Sequence, residues 1–320
     1  MPTSSTTRRR FVSASLAPSV SASLPGCAAP LRPVSSPATT PDARALLAAS
    51  ATAHGAPGLS RIGDLSVSYA GDWPPLIGAL QPALVDQGFR GRSEERLLLR
   101  DRIVAQAHTG PKGRKQVVRA SAPGTRGDAR VWFNGEETRD GERRAAAALV
   151  ADGYSLFLLG PMLLAGRWGV DRLLTMESAG VERVALDGRE RECDVLRVRV
   201  KPGLGFSESE ELALLIEREE GLMRRVRFSL NGLETTRGAV AEVDTFDHVT
   251  LHGVRWPTRF HERLLRPLPL PVHDWRLTGL DVNRGMDAAE VDTATFVGKA
   301  AGAAAALPLF GELRPRPRTM

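Results

Sequence analysis

From Gly58 onward, apolar and polar side chains alternate along the chain with a period of two. In "GDLSVSY", Leu65, Val67 and Tyr69 fall on one face and Asp64, Ser66 and Ser68 on the other, the pattern of a half-buried strand. The same alternation predicts strands at Arg96 to Val104, Gln116 to Ala120, Arg130 to Asn134, Val181 to Leu186, Cys193 to Val200, Leu212 to Glu217, Arg224 to Leu230, Ala239 to Phe246, Val254 to Phe260 and Trp275 to Val282. Between them stand the turn sequences "NGEE" at 134, "DGRE" at 187, "EEGL" at 219, "LNGL" at 230 and "LHGV" at 251. Strands that follow one another through such short turns form an antiparallel meander, because parallel pairs need long crossover connections. The pattern predicts a mainly β (α+β) protein built on one antiparallel sheet of about ten strands.

Two segments depart from that period. At Thr40-Pro41-Asp42 a capping hydroxyl, a proline at the first helical position and an acid in the first turn predict a helix over "ARALLAASATAH", stopped by Gly55. Asp140 caps a second helix over "GERRAAAALVADGY", which leads into "DGYSLFLLGPMLLAGRW" at Asp152 to Trp168. From Leu156 to Ala165 only Gly160 and Pro161 interrupt the apolar run, which is far shorter than the roughly 20 residues that cross a bilayer. Proline breaks a helix, so this run reads as a greasy loop of two short pieces inserted between the halves of the sheet. A sheet this long curls as its twist accumulates. If it curls without closing, its concave face needs a cover, and the helices and this loop carry the apolar surface to supply one. Tyr154, Leu156, Phe157, Leu159, Pro161, Met162 and Leu163 are therefore candidate lining for a ligand cavity; ordinary core packing is the competing reading.

Composition adds a bound on partners. With 320 residues, of which 42% are hydrophobic, the chain can bury a sizeable core. Its net charge of +6 permits an anionic partner, yet the arginines in "LRVRV" (196 to 200) and "RRVRF" (224 to 228) alternate with apolar residues as on the wet face of a strand. Nucleic-acid binding is not expected. The start, "TTRRRFVSASLAPSVSASLPGC", has a basic opening, a mildly apolar middle and a small residue before Cys27, the layout of an export signal. Arg8, Arg9 and Phe11 resemble a twin-arginine motif, and Leu24-Pro25-Gly26-Cys27 resembles a lipobox whose cysteine becomes the lipid-bearing first residue. The chain then divides into an export signal at 1–26, a tether at 27–41, one folded domain at 42–285 and a loose Ala/Pro-rich tail at 286–320. The expected location is the periplasm or cell envelope, anchored to the membrane through Cys27. Cys193 then has no intramolecular partner, which excludes a disulfide framework, and it reads as a small half-buried strand residue.

Tests for chemistry return no catalytic residue, cofactor or metal. His248 and His252 flank a strand and turn, where positions four apart lie about 13 Å from each other, too far to share an ion with ligand bonds near about 2 Å. His261-Glu262 lacks the second histidine of a zincin motif, and no G-x-S-x-G, P-loop or G-x-G-x-x-G occurs. "SESEE" at 207 to 211 reads as a solvated turn, and Trp73, Trp132, Trp168, Trp256 and Trp275 as packing residues.

The export signal, a short first helix, the strand "RIGDLSVSYAGDW" and the run "LLIEREEGLMRRVRFSL" followed by "TFDHVTLHGVRWPTRF" together resemble the LolA-like outer-membrane lipoprotein-sorting carriers and the related anchored lipid-binding lipoproteins. The resemblance covers Ala43 to Val282. It implies an incomplete β-barrel with helices over an open, hydrophobic concave face that holds a lipid or acyl chain, in a carrier or receptor role. Two features depart from the free-moving carriers: Cys27, which makes this an anchored member, and the tail after Gly285, which has no counterpart. A filled core with a role in assembling envelope proteins is the alternative, and an envelope hydrolase is the reading with least support.

Overall fold

Inward-facing apolar residues recur on strand after strand, and their common face sets the architecture. The structure is a computed structural model that describes residues 41–166 and 173–292, all within one compact unit. Helices α1 (Pro41–His54) and α2 (Ala56–Leu59) come first. The chain enters the sheet at its centre with β1 (Asp64–Asp72), passes through α3 (Pro75–Leu80) and α4 (Pro82–Val85), and steps outward through β2 (Arg92–Leu98), β3 (Ile103–Gly110), β4 (Gly113–Ala120), β5 (Asp128–Phe133) and β6 (Glu136–Glu137). Helices α5 (Gly141–Leu159) and α6 (Pro161–Ala165) carry it over to the far edge. It returns inward through β7 (Leu173–Leu186), β8 (Arg189–Val200), β9 (Glu210–Glu217), β10 (Met223–Ser229), β11 (Val240–Phe246), β14 (Arg259–Arg266) and β15 (Leu270–Val282). The short hairpin β12 (Val249–Leu251) and β13 (Val254–Trp256) stands outside the sheet.

The 13 strands pair in the order β6-β5-β4-β3-β2-β1-β15-β14-β11-β10-β9-β8-β7. Every pairing is antiparallel, and β15 joins the two meanders by pairing with β1. Edge strands β6 and β7 do not meet, so the barrel is incomplete. Register shifts at Ser68/Tyr69, Val240/Ala241, Glu262/Arg263 and Ser178/Val181 add the local twist that a curled sheet needs. Two-residue turns at Asn134-Gly135, Asp187-Gly188 and His252-Gly253 have both residues at positive φ, which matches the strand twist and makes tight hairpins.

One core fills the concave side. Leu65, Val67, Leu196, Val198, Leu214, Val226, Phe228, Val243, Phe260 and Trp275 from the strands meet Ala43, Leu47 and Ala51 of α1, Leu149, Leu156, Phe157 and Leu158 of α5, and Met162 and Leu164 of α6. On the opposite face of the first meander, Leu98, Ala105, Ala107, Val118 and Trp132 pack against Val291 of a last helix, α7 (Ala288–Val291), which Asp287 starts with a capping box to Glu290. Residues 286–292, assigned by sequence to the loose tail, are thus folded onto the sheet. The opposite face of the second meander carries an ion-pair ladder. Arg227 pairs with Glu182 and Glu242, and Arg225 and Arg263 each pair with Glu242 and Asp244. Arg225 and Arg227 are alternating arginines of the run "RRVRF", and carboxylates hold both.

Several elements differ from the expected ones. Arg96 to Val104 is two strands, because Arg100 and Asp101 sit in a turn whose last residue, Arg102, has φ 57°. The segment Val254 to Phe260 also divides, at Pro257, which has no N–H for a ladder. The greasy loop is helical: α5 runs unbroken through Leu159, Gly160 (φ 49°, ψ −125°) makes the bend, and Pro161 opens α6. The positive φ at Gly160 is what favours glycine there; a Cβ would lie 3.0 Å from Met223 Cε, the movable end of a flexible side chain. Among the described residues no helix is long and apolar enough to cross a membrane. Arg8, Arg9, Phe11, Cys27 and Trp168 lie outside the described residues.

Candidate functional site

Because α5 continues past Tyr154, the residues of its last turns point in different directions, and the seven candidate lining residues separate. Leu156 and Phe157 face the sheet: Leu156 is fully buried, and Phe157 packs its ring against Phe228 at 5.3 Å and Trp275 at 5.9 Å. Pro161 is buried at the start of α6. Leu159, Met162 and Leu163 meet again on the wall of an open apolar groove of about 450 Å³. Its other walls are Ala56, Leu59 and Ser60 from α2 and the residue after it, Ile62 before β1, Leu99 and Arg100 after β2, and Ala165 and Gly166 at the end of α6. A smaller extension of about 60 Å³ shares Leu99, Leu159 and Leu163 and runs along α5 past Ile103, Val104 and Ser155.

Positioning of the groove follows from two fixed points. At one end, Gly55 (φ 96°) turns the chain from α1 into α2 so closely against β13 that a Cβ there would lie 2.2 Å from the Gly253 carbonyl oxygen. His54 holds the same corner, where its Nε2 accepts the Met223 N–H at 2.9 Å. Burial, with Arg255 and Arg224 nearby, lowers its pKa to about 4, so the ring is neutral and free to accept. At the other end, Arg119 of β4 grips Asp152 of α5 through Nε at 3.1 Å and Nη2 at 3.0 Å, and Asp152 also accepts the Gly205 N–H at 2.9 Å. That buried pair ties α5 to both meanders.

A second, polar locus lies at the opposite end of the concave face. Phe260, Trp275, His273 and Trp73 stack in sequence, with centroids 4.9, 4.5 and 3.9 Å apart, and the Arg90 guanidinium lies over Trp73 at 5.4 Å. Tyr154, whose ring belongs to the core, reaches this locus with its hydroxyl, which hydrogen-bonds with His273 Nδ1 at 3.2 Å. Tyr69, Tyr154, Arg90, His108 and Trp275 bound a water-sized cavity of about 20 Å³. Beside it, Gln106 Nε2 donates to Glu95 Oε1 at 2.7 Å and its Oε1 lies 3.4 Å from His108 Nε2. Burial raises Glu95 to about 8 and Glu262 to about 7, and holds His108 and His273 well below the usual histidine range. Around neutral pH Glu95, His108 and His273 are therefore mostly uncharged.

Neither locus assembles a nucleophile with a base and an orienting acid. Among the described residues no group of three or more His, Cys, Asp or Glu side chains is arranged to hold a metal. His248 instead meets Arg224 Nη1 at 3.2 Å and packs edge-on to His54. Cys193 is buried, and burial with Glu217 nearby raises its thiol to about 11, far from the reactive range. The groove's far wall, Ala56 to Ile62 with Leu99 and Arg100, was not identified from sequence. Its one signal there is the spacing of Leu97 and Leu99, which a period of two puts on the same face; Leu98 packs on the opposite face, and Leu99, just past the end of β2, reaches the groove.

No protein-family model and no curated protein matches the chain. Among solved structures it is similar to a DUF1329 family protein from Desulfovibrio piger, at 13% identity and a TM-score of 0.46 over 79% of this chain and 98% of that one. A LolA superfamily protein from Nitrosomonas europaea aligns at 10% identity and a TM-score of 0.40, over 78% and 96%. A domain named for outer-membrane lipoprotein sorting from Vibrio parahaemolyticus aligns at 9% identity and a TM-score of 0.39, over 78% and 97%. The open, curled antiparallel sheet with α1, α5 and α6 across its concave face is an incomplete β-barrel, the architecture that the sequence resemblance implies.

Proposed function

We propose that this protein is an exported cell-envelope lipoprotein that binds the acyl chain of a lipid in the groove beside α6. The observation that carries the reading is an apolar groove of about 450 Å³ in the cover of a half-barrel, within the roughly 300–1,000 Å³ of small-ligand sites. Nine of its eleven lining residues are Ala, Leu, Ile, Met or Gly, so it offers little to a polar ligand and much to methylenes. Each buried methylene is worth about 0.8 kcal/mol, and roughly ten of them give about 8 kcal/mol before the cost of association is subtracted. Cys27 is the proposed anchor, with residues 27–41 as the tether that lets the half-barrel stand away from the membrane.

The filled concave face favours the alternative, a module that assembles with other envelope proteins and uses the groove as a contact. Native mass spectrometry of the protein released gently from membranes separates the two. A mass increment that matches a lipid and disappears on delipidation is the expected result. A protein partner with no lipid would replace this reading with the assembly role.

A further inference from the structure

The groove contains a single charged side chain, and its sign is informative. Arg100 stands at the mouth, exposed, with its Cζ 4.0 Å from where a Cβ of Gly63 would be. Neither aspartate, glutamate nor lysine lines the groove, and Arg100 forms no ion pair among the described residues. The side extension is lined by Asp152, already held by Arg119, and by Arg102. The groove itself presents apolar surface inside and one cation, Arg100, at the rim, the complement of a molecule with a hydrocarbon chain and a negative end.

We propose that the groove takes an acyl-chain amphiphile with an anionic head, its chain along Leu159, Met162 and Leu163 and its carboxylate or phosphate at Arg100. The proposal rests on the acyl-chain reading and narrows it. A planar guanidinium binds either oxyanion through paired N–H donors, so both head groups satisfy the same chemistry. At an exposed rim the gain is modest, and an exposed pair supports a preference of roughly three- to fivefold at low salt, which added salt reduces.

The test measures affinities of the delipidated full chain for laurate, lauroyl lysophosphatidate, dodecanol and dodecylamine by displacement of a neutral pyrene-labelled alcohol. Expected are laurate or lysophosphatidate, or both, binding roughly three- to fivefold more tightly than dodecanol, with dodecylamine weakest. In Arg100→Gln that preference should disappear. In Arg61→Gln, which removes a nearby exposed charge outside the groove, it should persist. The laurate and lysophosphatidate arms tell a carboxylate from a phosphate head. Equal binding of acid and alcohol by the parent protein, or equal loss of preference in both variants, would overturn the anionic-head proposal while leaving chain binding intact. Failure of all four probes to displace the alcohol, or of the alcohol to bind, would overturn the acyl-chain reading and this proposal together.

Discussion

Two buried side chains give the stability of this protein opposite slopes with pH. Burial raises the Glu95 carboxyl from 4.5 to about 8, so between those values the folded chain keeps a proton that the unfolded chain has released. Folding stability therefore falls as pH rises through that window, by about 1.4 kcal/mol per pH unit for one proton. For His54, lowered from 6.5 to about 4, the unfolded chain takes up a proton that the folded chain refuses, and stability falls as pH drops from 6.5 to 4. Glu95→Gln should flatten the alkaline limb: its melting temperature, followed from pH 5 to 8.5, should decline less than the parent's. An unchanged decline would assign the proton elsewhere. The same residues explain what periodicity could not show. Glu95, Gln106, His108 and Lys115 all point inward at buried positions, so the start of β2, most of β3 and the start of β4 lack the apolar alternation by which a strand is read.

At the level of elements, chain punctuation was more informative than hydrophobicity. Asp140 caps α5 as its position suggests, accepting from the N–H groups of Glu142 and Arg143, and the Asn-Gly, Asp-Gly and His-Gly pairs make the tight hairpins their chemistry favours. A continuous apolar run, by contrast, has no period, and Leu156 to Leu159 could be read as a loop although they extend α5 by a further turn. The clamp that holds α5 across the sheet, Arg119 with Asp152, is equally silent in sequence because its partners lie 33 residues apart on a strand and a helix. Asp152→Ala leaves the Arg119 cation buried without its carboxylate and should cost about 3–5 kcal/mol in urea denaturation. Pairing Asp152→Leu with Arg119→Met removes both charges and should cost clearly less than the sum of the single changes. Additive losses would mean that the ion pair does not couple the helix to the sheet.

For the molecule as a whole, the large antiparallel sheet and the insertion of the apolar segment between its halves were legible because short turns and alternation act locally and in the same sense, while the incomplete barrel was what the family resemblance implied. The filling of its concave face was not, since side chains from strands up to 215 residues apart decide it, as Leu65 and Leu280 do. An apolar groove is open between α2, the turn after β2 and the end of α5 with α6. The central claim is that an acyl chain lies there. Photo-crosslinking the delipidated protein with a diazirine-bearing fatty acid, then mapping the modified peptides by mass spectrometry, tests it most directly. The account predicts saturable labelling confined to residues 56–62, 99–100 and 159–166 and prevented by unlabelled fatty acid. Labelling that does not saturate, or that falls on other strands and helices, would contradict it.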